Sequence, residues 1–369
     1  MRIRVEPTPF ASALQAVNRA VSSRTTLPVL TGILLEAGRD GVVLSGTDLE
    51  IAIRARVAAD IVEPGAIVLP ARYLSDFTRR IPYGTIELSV EPGTQIATFR
   101  WQRSEYRIHG IDPQQFPEPP QPGDETTSFP RSLLREIVQQ TAFCVSQDET
   151  RPALTGVHLR CDHNGLIAIA TDGFRVAIRR APFTLAGDRL LDLIVPGRAL
   201  QEVTRLLTGD GQAAAVLSSR ENQIFLDLGD VQFASRVIEG PYPNVLDLLP
   251  TQYPTQLRLN RQELLQAADR AALLADSRLT ARLIVLELEP DRLIITSQDP
   301  EVGQAYEEVA AELSGDGLRI GLNARYLADG LEHIASDEVL LEFIDPVKAI
   351  RIRGLADDSY EYIVFPVRL

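Results

Sequence analysis

Leu69-Pro-Ala-Arg-Tyr-Leu-Ser-Asp-Phe77 is the stretch on which the fold turns, because the chain writes it three times. It returns as Val195-Pro-Gly-Arg-Ala-Leu-Gln-Glu-Val203 and as Leu322-Asn-Ala-Arg-Tyr-Leu-Ala-Asp-Gly330. The starts at 69, 195 and 322 lie 126 and 127 residues apart by subtraction. A second marker keeps step: Gly46-Thr47-Asp48, Ala170-Thr171-Asp172 and Ser297-Gln298-Asp299 each close an apolar stretch. Two independent markers on one period of about 125 residues identify a repeat of domain size rather than a local motif.

Three units therefore divide the 369 residues, each long enough to bury a core of its own. Working outward from the repeated segment, each unit opens with a short strand and a helix: 3–5 then 10–21, 126–128 then 131–145, and 256–259 then 261–274. Phe10, Leu14, Val17 and Val21 recur at helical spacing on one face. Thr8, Ser128 and Asn260 stand where helix caps belong. In the first unit three β segments follow, at 32–36, 42–45 and 51–57, separated by short Gly/Asp turns. The repeated segment then supplies a second helix, and strands at 85–90, 95–101 and 105–111 close the unit. The fold class is α+β, mostly antiparallel sheet with two helices per unit. Two proline-rich connections, 112–123 and 240–250, read as semi-rigid linkers rather than core elements. They set the expected domains at 1–122, 123–252 and 253–369.

Hydrophobic residues make up 45% of the chain and the mean hydropathy is -0.01, as in a folded water-exposed protein. No apolar run approaches the roughly 18 residues of a membrane span, and Met1-Arg-Ile-Arg-Val-Glu6 reads as a strand rather than a leader's apolar core. The expectation is a cytoplasmic protein associated with the nucleoid and no membrane partner. Cys144 and Cys161 form no CxxC pair and no disulfide framework, which suits a reducing compartment. Of 37 basic residues only Lys348 is lysine, leaving 36 arginines. That bias fits a GC-rich genome or adaptation to heat, and neither bears on function.

A net charge of -13 argues against a polyanionic partner until its distribution is read. The helical segments 7–24, 70–81, 129–147, 196–208, 260–276 and 323–335 together carry +4 by count, which leaves -17 on the rest of the -13 total. If the helices share a side, that side accepts phosphates while the opposite side repels them. The same counts also describe ordinary solvated helix faces.

Asp48, Asp172 and Asp299 recur once per unit, so they sit a domain apart and cannot converge on one metal ion; turn formation after a strand accounts for them. His158, Cys161, Asp162 and His163 are the densest metal-capable set, but 158 and 161 point to opposite faces of a strand and His163-Asn164-Gly165 reads as a hairpin turn. The sequence holds no Walker loop, GxGxxG or HExxH and only four histidines. The expectation is a non-catalytic protein with no cofactor and no metal.

Three tandem units carrying Arg24-Thr-Thr-Leu-Pro-Val-Leu30, Gly46-Thr-Asp-Leu-Glu50, Thr171-Asp-Gly-Phe-Arg175 and the terminal Phe365-Pro-Val-Arg-Leu369 resemble the bacterial sliding clamps, the beta subunit family of DNA polymerase III. The resemblance spans the chain. It implies a head-to-tail homodimer whose domains close into a ring around double-stranded DNA, with helices lining the hole and sheets outside. Such a ring serves as a processivity factor in DNA replication, holding DNA by topology and modest sequence-independent phosphate contacts. The implied partners are the catalytic subunit of the replicative DNA polymerase, the clamp loader, and other polymerases and repair proteins carrying a clamp-binding peptide. A duplicate clamp for repair or drug resistance is an alternative role on the same fold, and a nuclease using the repeated aspartates is a third.

Carried over residue by residue, the resemblance implies DNA contacts at Arg24, Arg72, Gln147, Arg151 and Arg198. It implies a peptide-binding pocket at Leu154, Thr171, Gly173, Phe174, Arg175, Val176, Pro243, Asp247, Leu248, Ile363, Phe365, Pro366, Val367, Arg368 and Leu369. Arg103 and Ile108 on the first unit, with Leu273 and Leu274 on the third, map to the dimer contact. Some positions depart from the familiar pattern. Phe174 stands where histidine is common, Asp247 where a basic residue is common, and Phe365 and Val367 where methionines occur.

Overall fold

The computed structural model describes residues 1–22, 25–91, 93–185, 190–207, 213–275, 282–355 and 357–369. The first repeat runs β1 (Arg2–Val5), α1 (Pro7–Val17), β2 (Gly32–Gly38), β3 (Gly41–Thr47), β4 (Ile51–Val57), β5 (Ala59–Glu63), β6 (Gly65–Pro70), α2 (Ala71–Thr78), β7 (Ile86–Val90), β8 (Ile96–Trp101) and β9 (Ser104–His109). The second runs β10 (Thr126–Pro130), α3 (Arg131–Thr141), β11 (Gly156–Asp162), β12 (Gly165–Thr171), β13 (Arg175–Ala181), β14 (Leu191–Pro196), α4 (Gly197–Leu206), β15 (Ala214–Arg220), β16 (Gln223–Asp227) and β17 (Val231–Arg236). The third runs β18 (Thr255–Asn260), α5 (Arg261–Ala272), β19 (Leu283–Glu289), β20 (Arg292–Asp299), β21 (Gly303–Ser314), β22 (Arg319–Asn323), α6 (Ala324–Glu332), β23 (Glu338–Phe343), β24 (Ile350–Gly354) and β25 (Asp357–Val364). One order of ten elements is thus used three times. The fourth strand position differs: it is continuous as β21 in the third repeat and breaks into β4 and β5 in the first.

The chain forms two compact units, 1–134 with 199–237, and 135–198 with 238–369. The first holds a five-stranded sheet, β5-β1-β7-β8-β9, and an eight-stranded sheet, β10-β15-β16-β17-β4-β3-β2-β6. The second holds a twelve-stranded sheet, β14-β11-β12-β13-β25-β24-β23-β18-β21-β20-β19-β22. Neighbouring strands pair antiparallel, and the long sheets run through repeat boundaries by pairing β17 with β4 and β25 with β13.

Period-two burial explains the strands: along β4, Ile51, Ile53, Ala55 and Val57 face the core while Arg54 and Arg56 do not. In α1 the predicted stripe is buried through Phe10, Leu14 and Val17, each worth about 1.5–3 kcal/mol when removed from water. The helix packs on β3 and β4, as α5 packs on β19, β20 and β21. In α6, Gly330 admits the ring of Tyr362, since a Cβ there would lie 2.1 Å from its Cδ1.

Four sequence expectations need correction. Of the three cap candidates only Asn260 caps its helix, its side chain accepting from the Glu263 amide at 3.0 Å. Thr8 lies inside α1, whose first turn is set by Pro7, and Ser128 lies within β10. The repeated segment begins as strand: Leu69 and Pro70 end β6, and the helix starts at Ala71. β5 and β6 themselves went unread, because 59–70 mixes exposed and apolar positions without clean alternation. The proline-rich connections also join the core. Phe116 is buried against Val29, Leu30, Leu34 and Val68, and Val245 against Ile169, Val176, Ile178 and Ile363.

Candidate functional site

β12 ends at Thr171 and β13 begins at Arg175, and the turn between them is built by two side chains. Thr171 Oγ1 donates to the Arg175 carbonyl at 2.7 Å and accepts from the Gly173 amide at 3.0 Å. Asp172 Oδ1 accepts from the Phe174 and Arg175 amides at 2.9 and 3.1 Å. The same aspartate device serves the other repeats: Asp48 takes the Glu50 and Ile51 amides, and Asp299 the Glu301 and Val302 amides. The repeated aspartates are turn formers. Gly173 sits at φ +92°, a left-handed conformation that glycine takes without a Cβ clash. The turn thereby holds Phe174 outward, 62% exposed.

Arg175 points the other way. It is 7% exposed, and its guanidinium donates to Asp172 Oδ2 at 2.9 Å, Asp329 Oδ2 at 2.5 Å and the Phe143 carbonyl at 3.2 Å. The Tyr326 ring lies 4.5 Å from the guanidinium carbon. Burial works against its charge, but the hydrogen bond to the Asp329 carboxylate favours it, and its pKa stays above the ordinary arginine value. His333 stacks on Phe143 at 4.1 Å, and the Tyr362 hydroxyl donates to the Tyr326 carbonyl at 2.8 Å. Asp329, Tyr326, Phe143, His333 and Tyr362 went unread as site residues. Their only signal is spatial, since Arg175 and Asp329 are 154 residues apart.

The last strand lies beside this turn. Arg175 pairs with Val364 and Val176 with Ile363, and the Phe365 amide donates to the Phe174 carbonyl at 3.0 Å. Val367 then donates to the Gly321 carbonyl at 2.8 Å, pinning the terminal segment on β22. Val176 and Ile363 are buried in one apolar cluster with Val245 and Ala349, against which the partly buried Tyr242 and Leu246 pack. Leu154 is buried too, its carbonyl accepting from the Ser146 amide at 2.8 Å. Phe174 and Phe365, joined through their backbones, are 62% and 40% exposed, and Leu369 is 64% exposed. Pro243, Asp247 and Arg368 are exposed, and Pro366 and Val367 half-buried. Asp247 accepts a hydrogen bond from Asn244. Leu248 lies in the short turn Leu246–Leu248, its side chain outside the described set.

The remaining candidates divide between the two compact units. Arg72, in the first turn of α2, is exposed, as are Gln147, Arg151 and Arg198. Gln147 and Arg151 flank a turn in which Asp148 accepts from Thr150, a bond that holds its carboxyl below the usual aspartate range. Arg24 lies outside the described residues. Arg103 is exposed in the turn before β9 and Ile108 half-buried on β9 itself, an edge strand. Leu273 is 78% exposed just beyond α5, with Leu274 half-buried. His158 bonds Asp192 at 2.7 Å and stacks on Tyr242, while Cys161 donates to the Phe183 carbonyl at 3.3 Å, so these two side chains diverge. Burial pushes the Cys144 thiol far above its usual range, leaving it neutral.

Residues 1–120, 128–244 and 246–368 match, in order, the N-terminal, central and C-terminal domains of the DNA polymerase III beta subunit. The chain belongs to the DNA polymerase III beta subunit family. The beta sliding clamp of Bacillus subtilis is 32% identical over all of both chains, and that of Staphylococcus aureus 35% identical over 97% of each. The crystal structure of the B. subtilis sliding clamp superposes with a TM-score of 0.96, covering 100% of this chain and 99% of that one. The beta subunit of Pseudomonas aeruginosa follows at 0.93 and 30% identity over both whole chains. The fold is three tandem clamp domains, and the function is that of a replication sliding clamp, a non-catalytic subunit of the polymerase holoenzyme.

Proposed function

We propose that this clamp works as a closed head-to-tail dimer around duplex DNA and recruits partners through the surface built by the 171–175 turn and the terminal segment. The observation that carries the ring is a pairing rule inside the chain. The last strand of the second repeat pairs with the fourth element-strand of the first, β17 with β4, and that of the third pairs with its counterpart in the second, β25 with β13. Two members of this series lack such a partner among the described residues. β9 pairs with β8 alone, and residues 303–310 of β21 pair with β20 alone. The rule is completed when β9 of one copy adds to β21 of another, a heterologous contact that closes after two copies. Arg103 and Ile108 lie at that edge, and Leu273 and Leu274 follow α5, which packs on β21.

Enclosure makes phosphate contacts by Arg24, Arg72, Gln147, Arg151 and Arg198 sufficient even when they are weak and salt-sensitive. Clamp domains at 1–122, 123–252 and 253–369 complete the reading. The clamp loader, the replicative polymerase and repair proteins compete for the Phe174 surface through peptides bearing a glutamine and downstream Leu/Phe anchors. The action takes place at the nucleoid. Loaded clamp is expected to escape from linear DNA and to stay on circular DNA; equal retention on both overturns the ring. Deleting Arg368 and Leu369 is expected to abolish polymerase stimulation while DNA retention survives.

A further inference from the structure

The turn beneath Phe174 has a close counterpart in the eight-stranded sheet. Thr47 Oγ1 donates to the Ile51 carbonyl at 2.8 Å, and the Arg236 amide donates to the Glu50 carbonyl at 2.9 Å, just as Phe365 does to Phe174. At the place of Gly173 stands Leu49, held at φ +77° and 44% exposed. A leucine in left-handed backbone is strained, and strain of this kind concentrates at binding sites.

A cavity of about 130 Å³ adjoins this turn, and a second of about 120 Å³ shares Ala52, Arg54, Pro120 and Ala234 with it. Ser45 faces Arg54 across the β3–β4 ladder. Ser45 is 2% exposed, and neither its Oγ nor Arg54 Nε has a hydrogen-bond partner among the described residues. Buried polar groups are normally satisfied, so an unpartnered donor pair at a cavity wall points to an acceptor. Nearby acids do not supply it. Asp227 is engaged by Gln232 Nε2 at 3.1 Å and the Gly229 amide at 2.7 Å, while Glu50 and Glu118 are exposed. Phe225 and Phe233, both buried, give the second cavity an apolar wall.

We propose that this junction is a second peptide-docking site, taking a partner segment in which a Glu or Asp carboxylate seats on Arg54 and Ser45 and an adjacent apolar side chain packs on Phe225. Each cavity is side-chain sized, well below the roughly 300–1,000 Å³ of small-molecule sites, which favours a peptide over a metabolite. A carboxylate meets the guanidinium through charge-assisted bonds that an amide cannot match. The inference stands apart from the peptide surface at Phe174, because it uses other residues and another ligand chemistry.

The test titrates the full-length protein with the blocked peptide Ac-Gly-Glu-Phe-Gly-NH2 and its Gln counterpart, reading the Arg54 Nε–H resonance, assigned with Arg54→Lys. The Glu peptide is expected to give a saturable shift and the Gln peptide to bind at least roughly tenfold more weakly. Arg54→Gln and Ser45→Ala should each weaken the Glu peptide, and deletion of Arg368 and Leu369 should leave its binding unchanged. The acid–amide comparison on the unsubstituted protein stands even if a variant folds poorly. No saturable shift, equal response to both peptides, or a persistent contact to a trapped water that neither peptide displaces would overturn the proposal.

Discussion

Replacing Arg175 by Met tests whether the turn that presents Phe174 is held from within. The change removes bonds to Asp172, Asp329 and the Phe143 carbonyl at 2.9, 2.5 and 3.2 Å. It leaves two carboxylates whose side chains are only 14% and 27% exposed. Removing one partner of a buried pair costs about 3–5 kcal/mol, and the partial exposure of Asp329 argues for the lower end. Loss of the guanidinium over Tyr326 adds about 0.5–2 kcal/mol. Met retains most of the aliphatic volume, so little cavity opens. The expected cost is about 4 kcal/mol, close to a 10³-fold change at about 1.4 kcal/mol per tenfold. Because a chain of several domains need not unfold in one step, the assay is native-state hydrogen exchange at the Phe174 and Arg175 amides, both bonded to Asp172. Their protection should fall by two to three decades, roughly, at constant fold. Asp329→Asn and the double variant complete a cycle whose coupling should exceed about 1 kcal/mol. Unchanged protection, or a coupling of zero, would refute the brace.

Gly330→Ala should destabilise by about 2 kcal/mol: helix propensity gains about 1, but a Cβ 2.1 Å from the Tyr362 ring forces overpacking worth about 3; a raised melting temperature would show that the ring moves aside freely. Leu273→Ala with Leu274→Asp should give monomers by light scattering, since a charge in an apolar contact is costly. Hydrogen bonds from Arg2, Arg270 and Arg258 hold Glu87, Glu307 and Glu338 below the ordinary 4.5. Their contribution is therefore complete above that value and is lost as pH falls through the lowered folded values, so the melting temperature should be flat near neutrality and decline only below about 4.5. Cys144 and Cys161, both buried with thiol pKa values raised mainly by burial, should resist a thiol reagent at neutral pH until denaturant is added.

Much of the fold was legible because a repeat triples every weak local signal. The stripe Phe10, Leu14, Val17 is unremarkable alone, yet the same strand–helix opening at 126 and 255 makes it a domain start. What failed was whatever depends on partners distant in sequence. β5 pairs with β1 across the domain, and with two of its five positions half-buried, three exposed and none buried, its own pattern marks no core face. The prolines near 116 and 243 spoke for exposed linkers, and only the tertiary fold shows that Phe116 and Val245 have apolar seats waiting. Thr8 has the chemistry of a cap, but Pro7 fixes the helix start one residue earlier.

The site was legible in a more instructive way. A Thr-Asp turn is local chemistry, so it could be read at 47–48 and 171–172 and, with the aspartate alone, at 299. What distinguishes the copies is not local. At 173 the turn has glycine and at 175 an arginine whose counter-ion comes from α6, and the result is an exposed Phe174 on a rigid base. At 49 and 51 the same turn has a strained leucine and an isoleucine, and the positive charge has moved onto the strand as Arg54, facing Ser45. In the third copy the strand that follows pairs, over 303–310, with β20 alone among the described residues. Three similar turns thus lead to three unequal surfaces because the residues that fill and flank them differ from copy to copy. A substitution that grafts Gly at Leu49 should relax the backbone without touching the Arg54 donors. If docking there uses the strain to hold its walls apart, Leu49→Gly should weaken the acidic peptide while stabilising the free protein by about 1 kcal/mol, and an unchanged affinity would assign the strain to folding history alone.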